Sequence, residues 1–320
     1  MRLIIDTDTA GDDCFSIMLA ARHPAVTLEA LTICTGNIDF DQQVENALAT
    51  LAVCDLPARV PVYAGCRRPL LRKPIHAPYV FGDDGMSGAH YPPAPQRPEP
   101  AHAVDALVDT VMASPGEIAI VAQAPLTNIA AAVTKEPGFG RAVKHLWIMG
   151  GTDNAMGNVT PAAEFNFYVD PEAAKIVFGA GFAITLVTWT LSLRDSYLSE
   201  ADLAAIEALG TRRSAFFHQV NSQAVAFSRA RYQDAGTVHP DTLTCACAID
   251  ESLILASEAA VVDIETRGDL TRGYSSVSSA RLPDPDEADP DLAPAGTANA
   301  RVVKKADLAG LRRMMMDALA

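Results

Sequence analysis

The sequence is short of cysteine, of aromatic residues and of positive charge, and it has no apolar run long enough to span a bilayer. Each shortage excludes something. The six cysteines, at positions 14, 34, 54, 66, 245 and 247, form no CxxC pair and are too sparse for a disulfide scaffold, so reduced thiols in a cytoplasmic protein are expected. Cys245 and Cys247 sit in an apolar stretch and read as core packing, not as a metal pair. With 25 basic against 39 acidic residues the net charge is −14, and the pI is 4.8. That balance argues against a nucleic acid or an anionic membrane as partner and favours a small neutral or cationic ligand. The opening residues pass from Leu3-Ile4-Ile5 straight into acid, which leaves no room for the apolar core of a signal peptide. Glycine and proline are spread along the chain, and no repeat recurs at a fixed period. One domain over residues 1–320 is therefore expected.

What is present is enough apolar residue, 49% of 320, to bury a large core. Runs at 3–5, 28–34, 118–122, 146–149 and 182–188 read as buried strands. Between them lie helical stripes, such as Val44, Leu48 and Leu51, then Val104, Leu107, Val108 and Val111, and a segment at 171–178 that opens with proline. Alternating strand and helix imply an α/β fold with a Rossmann-like, mostly parallel sheet flanked by helices. After residue 199 helices at about 200–209, 214–230 and 241–250 suggest a C-terminal helical cap region, followed by a strand at 260–265 and a last helix near 306–319. The Pro- and Asp-rich stretch 282–299 reads as a long solvated loop.

The densest chemistry lies at Asp6-Thr7-Asp8-Thr9-Ala10-Gly11-Asp12-Asp13, four carboxylates at the carboxyl end of the first strand, where open α/β sheets bind ligands. Carboxylates this close repel one another unless a cation or hydrogen-bond donors compensate, and a hard divalent metal is the simplest compensation. Helix capping accounts for one or two of them, not for all four. Asp6-Thr7-Asp8 also permits a phosphatase of the haloacid-dehalogenase type, but Ala10 stands where such enzymes carry threonine or valine.

This opening resembles that of the inosine-uridine-preferring nucleoside hydrolase family, DxDxGxDDxxA, with the glycine one place later at Gly11. Further strings follow in family order: Thr35-Gly36-Asn37, Asn46-Ala47-Leu48, Pro61-Val62-Tyr63-Ala64-Gly65, Ala124-Pro125-Leu126-Thr127-Asn128-Ile129-Ala130, Met149-Gly150-Gly151, Gly157-Asn158, Ala163-Glu164-Phe165-Asn166, Asp170-Pro171-Glu172-Ala173-Ala174 and Thr271-Arg272-Gly273. Each is weak alone; their order over nearly the whole chain is specific. The resemblance implies hydrolysis of the N-glycosidic bond of a ribonucleoside to ribose and free base. It implies Ca²⁺ held by Asp8, Asp13, the main-chain carbonyl of Gln123 and Asp241, with Asp8 as general base toward a water on the metal. Asp12, Asn37, Met149, Asn158, Glu164, Phe165 and Asn166 correspond to the ribose pocket. Members are homodimers or homotetramers, and the same is expected here.

Two departures touch the leaving base. Family members place histidine directly before the last metal aspartate, where this chain has Pro240, with His239 one place further back; they also often carry histidine at the position of Phe81. His239, Phe81, Trp189 and Tyr232, with Asp83 and Asp84, are therefore the candidates for the leaving-group side. A ribose- or nucleoside-binding homologue with weak or no catalysis is the alternative reading.

Overall fold

The computed structural model describes residues 1–89, 91–233, 236–279 and 297–320. Strand β1 (Arg2–Thr7) leads into α1 (Gly11–Arg22), β2 (Thr27–Ile33) into α2 (Phe40–Cys54), and β3 (Val62–Ala64) into α3 (Pro78–Phe81) and α4 (Ala103–Ala113). Next, β4 (Ile118–Ala122) is followed by α5 (Thr127–Lys135) and α6 (Phe139–Ala142), β5 (His145–Met149) by α7 (Phe165–Val169) and α8 (Pro171–Phe178), and β6 (Ile184–Val187) by α9 (Trp189–Asp195). The remainder comprises β7 (Tyr197–Leu198), α10 (Glu200–Glu207), α11 (Arg212–Tyr232), β8 (Thr237–Val238), α12 (Pro240–Ile249), β9 (Ile254–Ile264), β10 (Ser275–Ser279), β11 (Ala300–Ala306) and α13 (Leu308–Leu319).

The main sheet has nine strands in the order β10-β9-β11-β6-β5-β4-β1-β2-β3. From β3 to β11 all neighbours are parallel, and β9 and β10 extend the sheet antiparallel. The period of two sorts the core. Leu3 and Ile5 of β1, with Ala119 and Val121 of β4, face one apolar cluster, whereas Ile4, Ile118 and Ile120 face the other. The first cluster takes most of its helical residues from α1, α2, α11, α12 and α13, and the second most of its own from α4, α5 and α8, so both faces are covered. The strands expected at 3–5, 28–34, 118–122, 146–149 and 182–188 are β1, β2, β4, β5 and β6, and the C-terminal helices also form. Five strands were not read from the sequence: β3, β7 and β8 are only two or three residues long, β10 has a single valine among serines, and β11 turns polar at Lys304-Lys305, yet β11 lies between β6 and β9 in the sheet. Most of the loop expected at 282–299 lies outside the described residues.

Parallel strands bring their carboxyl ends to one edge, and the candidate residues follow from that. Asp8 follows β1, Thr35-Gly36-Asn37 follows β2, Gln123 follows β4, Met149 ends β5 and Trp189 follows β6. Behind this edge Phe167 is fully buried, edge-on to Phe178 with ring centroids 5.9 Å apart. A Cβ on Gly150 or Gly151 would fall 2.4 or 2.6 Å from the Phe167 ring, so both positions must lack a side chain for the ring to seat. Phe167→Ala is expected to destabilise the protein by about 3–5 kcal/mol, measured by urea denaturation. A loss below about 1 kcal/mol would mean that the ring is not the packing element described.

Candidate active site

At the carboxyl edge of the sheet the chain makes a sharp turn into α1. Gly11 adopts a left-handed φ of +41°, and its N–H donates to the Gly85 carbonyl at 3.0 Å. A Cβ on Gly11 would lie 2.5 Å from the ring of Phe81, so the displaced glycine makes room for the aromatic residue that ends α3 and leads into the following loop. That loop is also tied to α2, because Asn46 Nδ2 donates to the Thr9 carbonyl (3.1 Å) and the Asp84 carbonyl (2.8 Å). Its other side meets α11, where Ser87 Oγ donates to the Val220 carbonyl at 2.8 Å.

The four N-terminal aspartates are buried and each has a different environment. Asp6 Oδ1 accepts from Thr32 Oγ1 (2.6 Å) and Asn128 Nδ2 (2.8 Å), and burial pushes its carboxyl up to about 7. It braces β1 against β2 and α5. Asp8 Oδ2 accepts the Asn37 N–H at 2.9 Å, while Asp8 Oδ1 is buried with no hydrogen-bond partner among the described residues. Asp13 Oδ1 accepts from Thr7 Oγ1 (2.6 Å) and Gln123 Nε2 (2.8 Å), and Asp13 Oδ2 accepts from the Ala10 N–H (3.2 Å) and Asn37 Nδ2 (3.3 Å). Asp12 Oδ2 accepts the main-chain N–H of Asp241 at 3.2 Å, joining residues 229 apart. This contact exists because α12 packs against α1.

Carboxylate oxygens of Asp12, Asp13 and Asp241 converge within 4.8 Å of one another. Burial, and then the charge of neighbouring aspartates, raises the carboxyls of Asp8, Asp12 and Asp241 above the ordinary range, and burial also raises that of Asp13. The donor set is oxygen only and over-supplied with negative charge, and Asp8 Oδ1, like Asp6 Oδ2, is buried with no donor among the described residues. Those are the requirements of a hard divalent cation.

Beside this cluster lies a cavity of about 310 Å³, whose lining includes Asp12, Asn37, Gln123, Met149, Asn158, Glu164, Phe165, Asn166 and Asp241. The expected ribose residues are thus brought together. Glu164 does more than line the wall: its oxygens accept the N–H groups of Gly151 (2.8 Å), Asn166 (2.8 Å) and Phe167 (3.2 Å), capping α7 and tying it to the end of β5. Burial pushes its carboxyl up to about 7. Asn166 Nδ2 donates to the carbonyls of Gln123 and Met149, both at 3.2 Å, and Asn158 Oδ1 accepts the Phe165 N–H at 2.8 Å. Asp8 and Asp13 are buried beside this floor without lining the cavity.

The rest of the cavity has a largely apolar and aromatic lining. Phe81 and Trp189 line it as expected, together with Tyr79, Tyr197, Asn221 and Phe227, which sequence reasoning missed. Asn221, Ala224 and Ser228 recur at helical spacing on the cavity-facing side of α11, a stripe too polar to stand out in a sequence. His239 is placed differently from expectation. It is fully buried and stacked on Phe217 at 5.2 Å, is absent from the lining, and neither ring nitrogen has a partner among the described residues. Burial pushes it down to about 3, so it is neutral at physiological pH and is not the acid facing the leaving base. Asp83 is exposed, and Asp84 Oδ1 is engaged by the N–H groups of Met86 and Gly88; neither lines the cavity. The Tyr232 side chain lies outside the described residues.

Residues 3–313 match the family described as inosine-uridine preferring nucleoside hydrolase. The chain belongs to that family. Among its relatives, the pyrimidine-specific ribonucleoside hydrolase RihB of Escherichia coli is 37% identical over 244 residues, 75% of this chain and 76% of its own. A plant nucleoside hydrolase of known structure superposes with a TM-score of 0.92 at 29% identity, covering 99% of this chain and 98% of its own. The purine-preferring ribonucleoside hydrolase from Gardnerella vaginalis gives 0.88 at 26%, covering 100% and 98%. This nucleoside hydrolase is therefore an enzyme with its family's mostly parallel α/β fold, and the cavity is the candidate site for a small nucleoside. No helix among the described residues is long and apolar enough to cross a membrane.

Proposed function

We propose that this nucleoside hydrolase cleaves the N-glycosidic bond of ribonucleosides to ribose and free base in a Ca²⁺-dependent manner, with Asp8 as the general base. The observation that carries the reading is the buried, unpartnered Asp8 Oδ1 beside the convergent carboxylates of Asp12, Asp13 and Asp241. Asp8, Asp13, Asp241 and the Gln123 carbonyl would hold the ion, which supplies positive charge against the carboxylates and makes nearby water more acidic. Asp8 Oδ1 takes one proton from water as its oxygen attacks the anomeric carbon, and the electron pair of the carbon–nitrogen bond leaves with the base. Positive charge developing on the ribose is favoured by the acidic floor. Asp12, Asn37 and Asn166 offer both donors and acceptors to the ribose hydroxyls, and Phe81 and Trp189 offer apolar contact to the base. Assembly as a homodimer or homotetramer in the cytoplasm belongs to the same proposal, and sedimentation measures it.

The test is release of ribose from a panel of purine and pyrimidine nucleosides, assayed before and after chelation and again after calcium is restored. Expected is release that chelation abolishes and calcium recovers, with the panel fixing base preference, on which the relatives divide. Release indifferent to a strong chelator would overturn the metal reading; bound nucleoside without any release would make the protein a binder.

A further inference from the structure

Gln123 meets the acidic cluster twice, once through its main chain and once through its side chain. Its N–H donates to the Asp6 carbonyl at 2.9 Å, continuing the pairing of β4 with β1 beyond Ala122. This fixes the residue at the floor of the cavity, where its carbonyl accepts Asn166 Nδ2. The side chain turns beneath that floor and is 1% exposed. There Oε1 accepts from Ser16 Oγ at 2.6 Å and Nε2 donates to Asp13 Oδ1 at 2.8 Å. The orientation of the amide is dictated by its partners, since only the NH₂ end can face a carboxylate.

The same Asp13 oxygen accepts from Thr7 Oγ1 at 2.6 Å, so one side of this carboxylate is held by two short hydrogen bonds from different elements. The opposite oxygen has only longer contacts, 3.2 Å from the Ala10 N–H and 3.3 Å from Asn37 Nδ2. Ser16, one turn along α1 from Asp13, anchors the far end of the amide. Its hydroxyl also lies 3.1 Å from the Asp13 carbonyl. Ser16, Gln123, Asp13 and Thr7 thus form a continuous buried chain linking α1, the end of β4 and the end of β1.

We propose that the Gln123 side chain is a positioning residue for the cation, fixing the rotation of the Asp13 carboxylate so that its less engaged oxygen is presented to the ion. The inference rests on the metal reading above. Hydrogen-bond partners of metal ligands hold the ligand in its binding geometry, and their removal costs metal affinity even though they never touch the ion. Gln123→Leu keeps a buried side chain of comparable bulk and removes both the donor to Asp13 and the acceptor for Ser16, while leaving the main-chain carbonyl. Gln123→Glu keeps the shape and sets a like charge against Asp13. Ser16→Ala removes the far anchor without touching Gln123.

Calcium chloride titrated calorimetrically into chelator-stripped protein reads the effect directly. Expected is a calcium Kd weakened about 10- to 100-fold in Gln123→Leu, more in Gln123→Glu, and by a smaller factor in Ser16→Ala. Circular dichroism and the Tm of the stripped proteins control for folding: a merely packing role would lower the stripped Tm and leave Kd unchanged. Wild-type Kd in folded Gln123→Leu overturns the proposal, and if that variant does not fold, wild-type Kd in Ser16→Ala does so. A wild type that ignores calcium overturns the metal reading itself, which separates the two failures.

Discussion

Asp8→Asn is expected to lower kcat for ribose release about 10³-fold at saturating calcium, within the range that a positioned general base contributes. The substitution keeps the size of the side chain, which matters because the Asp8 carboxyl is wedged against Gly36, and it keeps an oxygen for the Asn37 N–H at 2.9 Å. What it removes is the charge and the capacity of Oδ1, unpartnered among the described residues, to take a proton. The same change should not weaken the chelated fold. Burial and then the charge of Asp13 raise the Asp8 carboxyl, so the ionised group is unfavourable where it stands, and the neutral amide relieves that repulsion. Low kcat is thus expected with a stripped Tm equal to or above wild type. Steady-state kinetics and thermal denaturation decide it: more than a tenth of wild-type kcat would remove Asp8 from the role of base, and a fall in both quantities would point to misfolding instead.

Gly36→Ala should be nearly as damaging, for a steric reason. A Cβ at this position would stand 1.9 Å from Asp8 Oδ2 and 2.6 Å from its Cγ, a separation no methyl group can occupy. Either Asp8 rotates away or the Thr35-Gly36-Asn37 turn moves, and the second option also moves Asn37, which donates to both Asp8 and Asp13. Displacements of about an ångström at reacting groups cost on the order of 10²-fold in rate, and that loss in kcat/KM is expected here. The fold should survive, because the change lies at the rim of the sheet and outside the two large apolar clusters. Wild-type kcat/KM in Gly36→Ala would show that Asp8 is not held where the geometry places it.

These two residues also show how unequally the site was legible. Asp8 stands out because four carboxylates in eight residues demand an explanation, and because the apolar Leu3-Ile4-Ile5 before them marks a buried strand whose end must carry a function. Gly36 was visible only as part of a family string; that it is small because a carboxylate crosses its Cα is a fact of the turn's approach to β1. The same holds for Gly11 and Phe81. In sequence they are two separate departures from the family pattern, 70 positions apart; in the structure the ring of one occupies the space left by the other. The candidacy of His239 has the same origin. Proximity to Asp241 in sequence suggested the pocket, but His239 precedes the first turn of α12 and its ring packs against Phe217 of α11, away from the cavity.

The sequence by itself determined the strand and helix alternation, the parallel sheet, the acidic turn after β1 and the family. All of these are written in short-range patterns, the period of two in β1 and β4, the stripes of α2 and α4, and contiguous motifs, because local backbone geometry dictates which side chains share a face. The family resemblance implied that Asp241 joins the N-terminal aspartates, but only the tertiary structure shows how: Asp241 reaches Asp12 across 229 residues through the packing of α12 on α1. It also decided that β11 enters the sheet between β6 and β9, and that α11 lines the cavity with Asn221 and Phe227. Those choices depend on the order of strands and the docking of helices far apart in the chain, and a residue's own neighbours in sequence carry almost no record of a partner that folding alone brings near.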